Sequence, residues 1–205
     1  MDKPLTIALP KGRLFDQVQE HFYSKGVEFS FEKRKLVAHD NKGLLKIFLV
    51  KNSDLPAYVA HGIAGLGICG EDVVYETGFS FYNVLPFSFG GTKLCMATMK
   101  DYKRDNKESH MTIATSFTDY TRDYFHKQGI PVKIIKLNGS VELAPVLGLA
   151  PYIVDLVETG STLKANNLEV IRTLTDIKVN MIANRAYYKF HYEAINKLAD
   201  LLRED

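Results

Sequence analysis

The sequence predicts an α/β fold. Short β-rich apolar runs alternate with helix-periodic segments from one end to the other. The 205 residues are 46% hydrophobic and 24% charged, enough apolar material for a core, and no residue type is frequent enough for a fibrous protein. No internal repeat or low-complexity tract interrupts the pattern, which argues against solenoids and disordered chains.

Taken in order, Thr6–Leu9 is a short apolar strand. Leu14, Phe15, Val18, Phe22 and Tyr23 then recur at helical spacing until Gly26 stops the helix. The runs Lys35–His39 and Leu45–Val50 flank Asp40-Asn41-Lys42-Gly43, and an Asn/Gly-containing turn between β-rich runs predicts a hairpin. Ser53–His61 reads as a short helix with a serine cap, and Leu66–Cys69 as a buried strand. Glu71–Glu76 reads as a helix ending at Gly78.

A second series follows, with strands at Leu94–Met99, Met111–Thr115, Val132–Leu137 and Tyr152–Val157 and helices at Thr118–Lys127 and Val141–Leu147. Lys178–Ala183 is a further strand. Ala186–Leu202 closes the chain as one amphipathic helix with Tyr188, Tyr192, Ile195, Leu198, Ala199 and Leu202 on one side. Candidate boundaries fall at Phe89-Gly90-Gly91-Thr92 and around Thr175–Lys178. Periodicity alone does not establish two lobes; if the chain forms them, these boundaries give a discontinuous first lobe, residues 1–91 and 178–205, and a second lobe, residues 92–177. Asp101–Ser109, dense in charge of both signs, reads as an exposed loop.

Lys plus Arg number 26 against 24 Asp plus Glu, a formal charge of +2. That balance is too mild to point to nucleic acid or a membrane surface. Cys69 and Cys95 show no metal-ligand spacing and read as reduced, buried thiols. The N-terminus lacks a secretory apolar run, and no stretch approaches the ~18 apolar residues of a membrane span, so a cytoplasmic protein is expected.

The segment richest in chemistry is Asp155-Leu156-Val157-Glu158-Thr159-Gly160-Ser161-Thr162-Leu163. An apolar strand enters a hydroxyl-rich turn containing glycine, and helix-compatible residues follow. Backbone N–H groups at such a junction are unpaired, and a helix start favours an anion. Gly160 permits positive φ and close approach of a phosphate, while Thr159, Ser161 and Thr162 supply hydroxyl donors. Asp155 would repel a phosphate and is better suited to accept hydrogen bonds from sugar hydroxyls. The same residues also suit an ordinary strand–turn–helix junction in which Thr159 or Ser161 caps the helix. A Walker-type G-x-x-x-x-G-K-[ST] string is absent, which disfavours nucleotide hydrolysis of that kind.

A second signal lies in Leu9-Pro10-Lys11-Gly12-Arg13-Leu14. Lys11 and Arg13 stand at or before a first helical turn, where cations are disfavoured by roughly 0.3–1 kcal/mol each, and a compensating anion would relieve that cost. Alternatively both side chains extend into screening solvent. Lys33-Arg34-Lys35 is a second basic run, either a solvated face or a source of a bidentate fork from Arg34 for phosphate. Together, two basic patches and one hydroxyl-glycine turn suit a substrate with phosphates at both ends.

The segment Glu142-x5-Gly148-x-Ala150-x2-Ile153-x-Asp155-Leu156-x2-Thr159-Gly160-x-Thr162-Leu163 resembles the signature of the ATP phosphoribosyltransferase family. Ala8–Leu14, Lys33–Leu36, Gly67–Val73, Ile113–Thr115 and Lys136–Pro145 resemble further blocks of that family, in the same order along nearly the whole chain. Departures are Gly65 where aspartate is usual, Phe117 where tyrosine is common, and Lys164 and Asn167 where arginine and glycine often follow the loop. Asn167 tolerates the left-handed conformation a glycine would take, and Phe117 leaves no hydroxyl for a contact with ATP.

The resemblance implies a glycosyltransferase of two lobes, like type II periplasmic-binding proteins, with a ligand cleft between them. The expected reaction joins phosphoribosyl pyrophosphate (PRPP) to N1 of ATP in the first step of histidine biosynthesis. Because the chain ends at Asp205, just past the closing helix, the short form of the enzyme is expected. That form works in a hetero-octamer with a regulatory subunit resembling histidyl-tRNA synthetase and is dimeric by itself. By the same resemblance, Thr159, Gly160, Ser161 and Thr162 hold the 5′-phosphate, with Glu158 beside them and Asp155 on the ribose hydroxyls. Arg13, Arg34 and Lys11 neutralise pyrophosphate and the ATP phosphates, and Mg²⁺ arrives on substrate oxygens without a dedicated protein site. Glu142 either faces the ribose or metal side or favours its helix start, and Asp72 either faces ATP or caps a helix. The rival readings are a non-catalytic two-lobed binding protein for a phosphorylated metabolite and a type I phosphoribosyltransferase. The latter normally has adjacent acidic residues before its loop, whereas Leu156 and Val157 separate Asp155 from Glu158 here.

Overall fold

The computed structural model describes residues 3–103 and 110–204. Most of the Asp101–Ser109 stretch lies outside the described residues. By contact density the chain divides into two compact units. Unit 1 comprises Met1–Gly90 and Lys178–Asp205, and unit 2 comprises Gly91–Ile177.

In unit 1, β1 (Leu5–Pro10) lies between β3 (Leu45–Val50) and β4 (Leu66–Gly70), parallel to both. β2 (Val37–His39) adds an antiparallel edge to β3, and the end of β9 (Leu168–Ala183) runs antiparallel to β4. Strand alternation sorts the side chains: Ile7 and Leu9 face α1 (Arg13–Ser24) and α8 (Tyr192–Leu202), while Ala8 faces α2 (Leu55–Ala60). α1 buries Val18 and Phe22, the inner members of its apolar stripe. α3 (Glu71–Thr77) follows β4 directly and ends at Gly78.

In unit 2 the order is β5–β8–β6–β7, from β5 (Tyr82–Met99), β8 (Tyr152–Val157), β6 (Met111–Thr115) and β7 (Val132–Lys136). β5 is antiparallel to β8, whereas β8, β6 and β7 run parallel. α4 (Thr118–Lys127) covers one sheet face over Leu94, Met96, Ile113, Tyr152 and Val154. The other face, with Ala97, Ala114 and Ile153, meets α5 (Leu143–Val146) and α6 (Ser161–Ala165).

Several elements differ from the sequence expectations. β5 and β9 are single strands of 18 and 16 residues, and the stretches Phe89–Thr92 and Thr175–Lys178 lie inside them, where the chain passes from one unit to the other. Ser53 does not cap α2: a 3₁₀ turn (Asn52–Asp54) precedes it, and the Ser53 hydroxyl donates to the Asp54 carboxylate. The helix expected over Val141–Leu147 is only the single turn of α5. The closing helix is broken into α7 (Arg185–Phe190), whose start Asn184 caps, and α8, with His191 at φ −120° and ψ 25° between them. Tyr192 consequently lies outside the buried set of Ile195, Leu198, Ala199 and Leu202. Cys69 and Cys95 are both buried, and neither forms a disulfide. Among the described residues no helix is long and apolar enough to cross a membrane.

Candidate active site

β8 carries Tyr152, Ile153 and Val154 into the core and continues through Asp155 to Val157. Asp155 is therefore two residues inside the strand and not at its tip. Alternation places it on the face of Ile153 and Val157, opposite Tyr152 and Val154. Its carboxylate accepts a hydrogen bond from the Leu156 N–H at 2.8 Å. Burial, and after it the charge of Glu142, nevertheless push its pKa up to about 6.

Glu158 and Thr159 lead to Gly160, which occupies the N-cap of α6 at φ 72° and ψ 9°. This left-handed conformation is what glycine supplies without strain. Neither Thr159 nor Ser161 caps the helix. The Thr159 hydroxyl instead donates to the Ser161 hydroxyl at 3.0 Å and accepts a long 3.4 Å bond from the Ser161 N–H. At five residues α6 has little macrodipole, and the amides that open it have no intrahelical acceptor. The exposed hydroxyls of Thr159, Ser161 and Thr162 stand around them. Glu142 sits at the N-cap position of α5 without a side-chain capping bond, close enough to act on Asp155.

Unit 1 gathers a second set of residues along one sheet edge. β1, β3 and β4 are parallel, so their carboxyl ends share that edge, where α/β sheets commonly place ligands. Lys11, whose N–H donates to the Val50 carbonyl at 2.8 Å, and Arg13, the first residue of α1, follow β1. Gly12 between them holds φ 97°. Asp72, 4% exposed, lies in the first turn of α3 after β4. Its burial raises its pKa to about 6, although backbone hydrogen bonds at Asp72 and Val73 pull it back. The neighbouring Cys69 thiol is raised well above its usual range by burial and by Asp72.

Arg34 reaches the same edge because β2 runs antiparallel to β3. Leu49 donates to the Leu36 carbonyl, so the chain before β2 lies beside the end of β3. The Lys35 N–H closes a turn onto the Glu32 carbonyl at 2.9 Å, with exposed Arg34 at φ 66° inside it. Lys35 is ion-paired to Glu32 at 2.7 Å. Two residues that sequence reading missed, Lys51 and Asn52, end β3 on this edge. The Asn52 Oδ1 is buried without a hydrogen-bond partner among the described atoms. Pattern reading offered no sign of Asn52, since nothing local marks which strand ends are neighbours. Among the described residues no group of three or more His, Cys, Asp or Glu side chains converges into a metal site.

Residues 51–204 match the family model described as HisG: ATP phosphoribosyltransferase. An ATP phosphoribosyltransferase of Thermoanaerobacter sp. (strain X514) is 42% identical over 98% of this chain and 95% of its own length. The chain belongs to the ATP phosphoribosyltransferase family. The family enzyme of Clostridium acetobutylicum is 43% identical over 96% of this chain and 93% of its own. The structure of the ATP phosphoribosyl transferase (HisG:HisZ) complex from Thermotoga maritima aligns with a TM-score of 0.82 at 34% identity, covering 97% of this chain and 96% of that one. Tv2483 bound to L-arginine aligns at 0.63 with 12% identity over 97% and 85%, a likeness of fold alone. The fold class is thus the periplasmic-binding-protein-like α/β one.

The departures from the ATP phosphoribosyltransferase pattern have local explanations. Asn167 takes φ 58°, the left-handed conformation that asparagine tolerates. Phe117 packs with the α4-side core, and its N–H donates to the Thr115 hydroxyl. Lys164 is exposed on α6, and its N–H closes the helix onto the Gly160 carbonyl.

Proposed function

We propose that this chain transfers the phosphoribosyl group of PRPP to N1 of ATP, giving phosphoribosyl-ATP and pyrophosphate in the first step of histidine biosynthesis. The observation that carries this reading is the loop of unit 2. A left-handed glycine at a helix start, with three exposed hydroxyls around it, follows a half-buried carboxylate in a chain of this family.

The 5′-phosphate sits on the amides and hydroxyls of Thr159–Thr162, with Glu158 flanking the turn, and Asp155 accepts hydrogen bonds from the ribose hydroxyls. In the reaction the C1′–O bond to pyrophosphate breaks and a C1′–N1 bond forms. The adenine N1 supplies the electron pair, and the diphosphate leaves with the pair of the broken bond. Adenine N1 is a weak nucleophile, so catalysis rests on positioning and on stabilising the leaving diphosphate. Lys11, Arg13 and Arg34 stabilise that charge and the ATP phosphates, while Asp72 borders the nucleotide at the end of β4.

Asp155 and Glu142 offer hard carboxylate oxygens that would suit Mg²⁺, whose remaining ligands would come from substrate and water. When bound, Mg²⁺ neutralises pyrophosphate oxygens. The chain is cytoplasmic and assembles with a regulatory HisZ-type subunit, as the Thermotoga maritima relative does in its HisG:HisZ complex. The test is pyrophosphate release on mixing ATP, PRPP and Mg²⁺ with the full chain, with and without that subunit. Release that requires both substrates is expected. No release under either condition would reject the reading in favour of a binding protein.

A further inference from the structure

Unit 2 contains a cavity that the proposed transferase chemistry does not use. It measures about 270 Å³, with Met96, Met111, Phe125 and Tyr152 among its walls and Ile171 and Arg172 also lining it. The four wall residues are all buried, whereas Ile171 is 48% exposed and Arg172 is exposed, so these two belong to the mouth.

The cavity lies on the α4 side of the sheet. Tyr152 points there, whereas Asp155, an odd number of residues further along β8, points to the opposite face with the phosphate loop. The two ligand environments of unit 2 are therefore separated by the thickness of the sheet. Size and lining also set them apart: this volume falls at the low end of small-molecule pockets, and its apolar walls cannot solvate a polyphosphate or a sugar.

Among the described residues lining the cavity the one cation, Arg172, has a side-chain partner. Arg172 Nη1 donates to Gln128 Oε1 at 3.2 Å, and Gln128 sits at the C-cap of α4 with its amide nitrogen on the Tyr124 carbonyl. A guanidinium has five N–H donors in a planar fork matched to carboxylate geometry, and a single bond to Gln128 leaves most of that fork for a ligand. The two methionines give the walls an adaptable surface for a branched or aromatic group.

We propose that this cavity binds a small monocarboxylate with a branched or aromatic apolar tail, its carboxylate on Arg172 and its tail against Met96, Met111 and Phe125. The site is separate from the phosphate loop of unit 2.

The test is calorimetric titration of the full chain with 4-methylpentanoate and, in parallel, with the neutral 4-methylpentanamide. The acid is expected to bind at least about tenfold more tightly than the amide. Arg172→Gln, an exposed and structurally mild change, is expected to remove that preference. Ile130→Trp, which places an indole in the cavity wall, is expected to abolish binding of both probes while the circular dichroism spectrum stays unchanged. Saturating PRPP is expected to leave the acid's affinity unaltered. Absence of heat with the acid, equal affinity for acid and amide, a preference that survives Arg172→Gln, or displacement by PRPP would each overturn the proposal.

Discussion

The ring of Tyr187 occupies the space in which a side chain at position 65 would begin. A Cβ on Gly65 would lie 2.1 Å from the Tyr187 Cδ1 and Cε1 and 2.3 Å from its Cζ. The ring is fixed there because the Tyr187 hydroxyl accepts the Thr6 N–H at 3.0 Å, while Gly65 donates to the Thr6 carbonyl and hydroxyl. Residues 65 and 187 are thus one packing unit, with the tyrosine ring from α7 filling the space beside the glycine. Gly65→Ala is expected to destabilise the chain by about 1–3 kcal/mol through overpacking. Combined with Tyr187→Ala, it should cost clearly less than the sum of the two single changes, and urea denaturation of the four proteins reads the coupling. Strict additivity would show that the two residues do not share this space.

Arg34 separates strain from function. A non-glycine residue at φ 66° stores about 1–2 kcal/mol, and such strain is often retained where a side chain is needed. Arg34→Ala keeps the strained backbone and removes the guanidinium, so kcat should fall while stability stays near wild type. Arg34→Gly removes the strain as well and should be the more stable of the two variants, at equally low activity. Arg13→Ala should likewise lower turnover more than stability. Normal turnover of any of these in the assembled enzyme would remove that arginine from the proposed role.

Gly160 permits a similar dissection in unit 2. A Cβ there meets only Val157 Cγ1, at 3.9 Å, so the obstacle to substitution is the backbone at φ 72° and not space. Asn tolerates that conformation, whereas a β-branched residue does not. Gly160→Asn should therefore fold almost normally yet lose PRPP affinity, because its side chain intrudes on the amides that hold the phosphate. Gly160→Val should lose both affinity and stability. An Asn variant that titrates PRPP like wild type would dissociate the turn from phosphate binding.

The loop and the strands around it were legible because their signals are local: an apolar run, a glycine, and hydroxyls in consecutive positions. β5 and β9 were not, for opposite reasons. In β5 the pair Gly90-Gly91 imitates a linker although the strand continues through it. In β9 residues 169–173 are exposed on both faces, so neither alternation nor a continuous apolar run marks them as strand. The break at His191, where φ is −120° and ψ 25°, was not legible because no glycine or proline marks it; Asn184 only starts the first helix, its side-chain oxygen accepting the Ala186 and Tyr187 N–H groups. The meeting of Lys11, Arg13, Arg34, Asn52 and Asp72 on one edge depends on strand order, which periodicity does not encode. The reading of Gly65 as a plain departure from a family pattern failed to find Tyr187, 122 positions away, because their contact exists only in three dimensions.

Asp155 yields a prediction in pH. Its pKa rises from 3.8 in the unfolded reference to about 6 in the fold, through burial first and the charge of Glu142 second. Between those values the folded chain holds a proton that the unfolded chain has released, so stability falls as pH rises across the window and the penalty stays constant above it. Asp155→Asn escapes the penalty and can still accept the Leu156 N–H. It should exceed wild type by about 3 kcal/mol above pH 6.5, with the difference vanishing below about pH 3. Asp72, raised to a similar value, is present in both proteins and cancels in the comparison. Activity should move the other way, because only the ionised carboxylate accepts from both ribose hydroxyls. KM for PRPP in wild type should rise as pH falls through 6, over and above the change caused by titration of PRPP itself, which the Asn variant reports alone. Glu142→Gln removes the neighbouring charge and should shift that limb to lower pH. Parallel profiles for wild type and Glu142→Gln would mean that Glu142 does not act on Asp155.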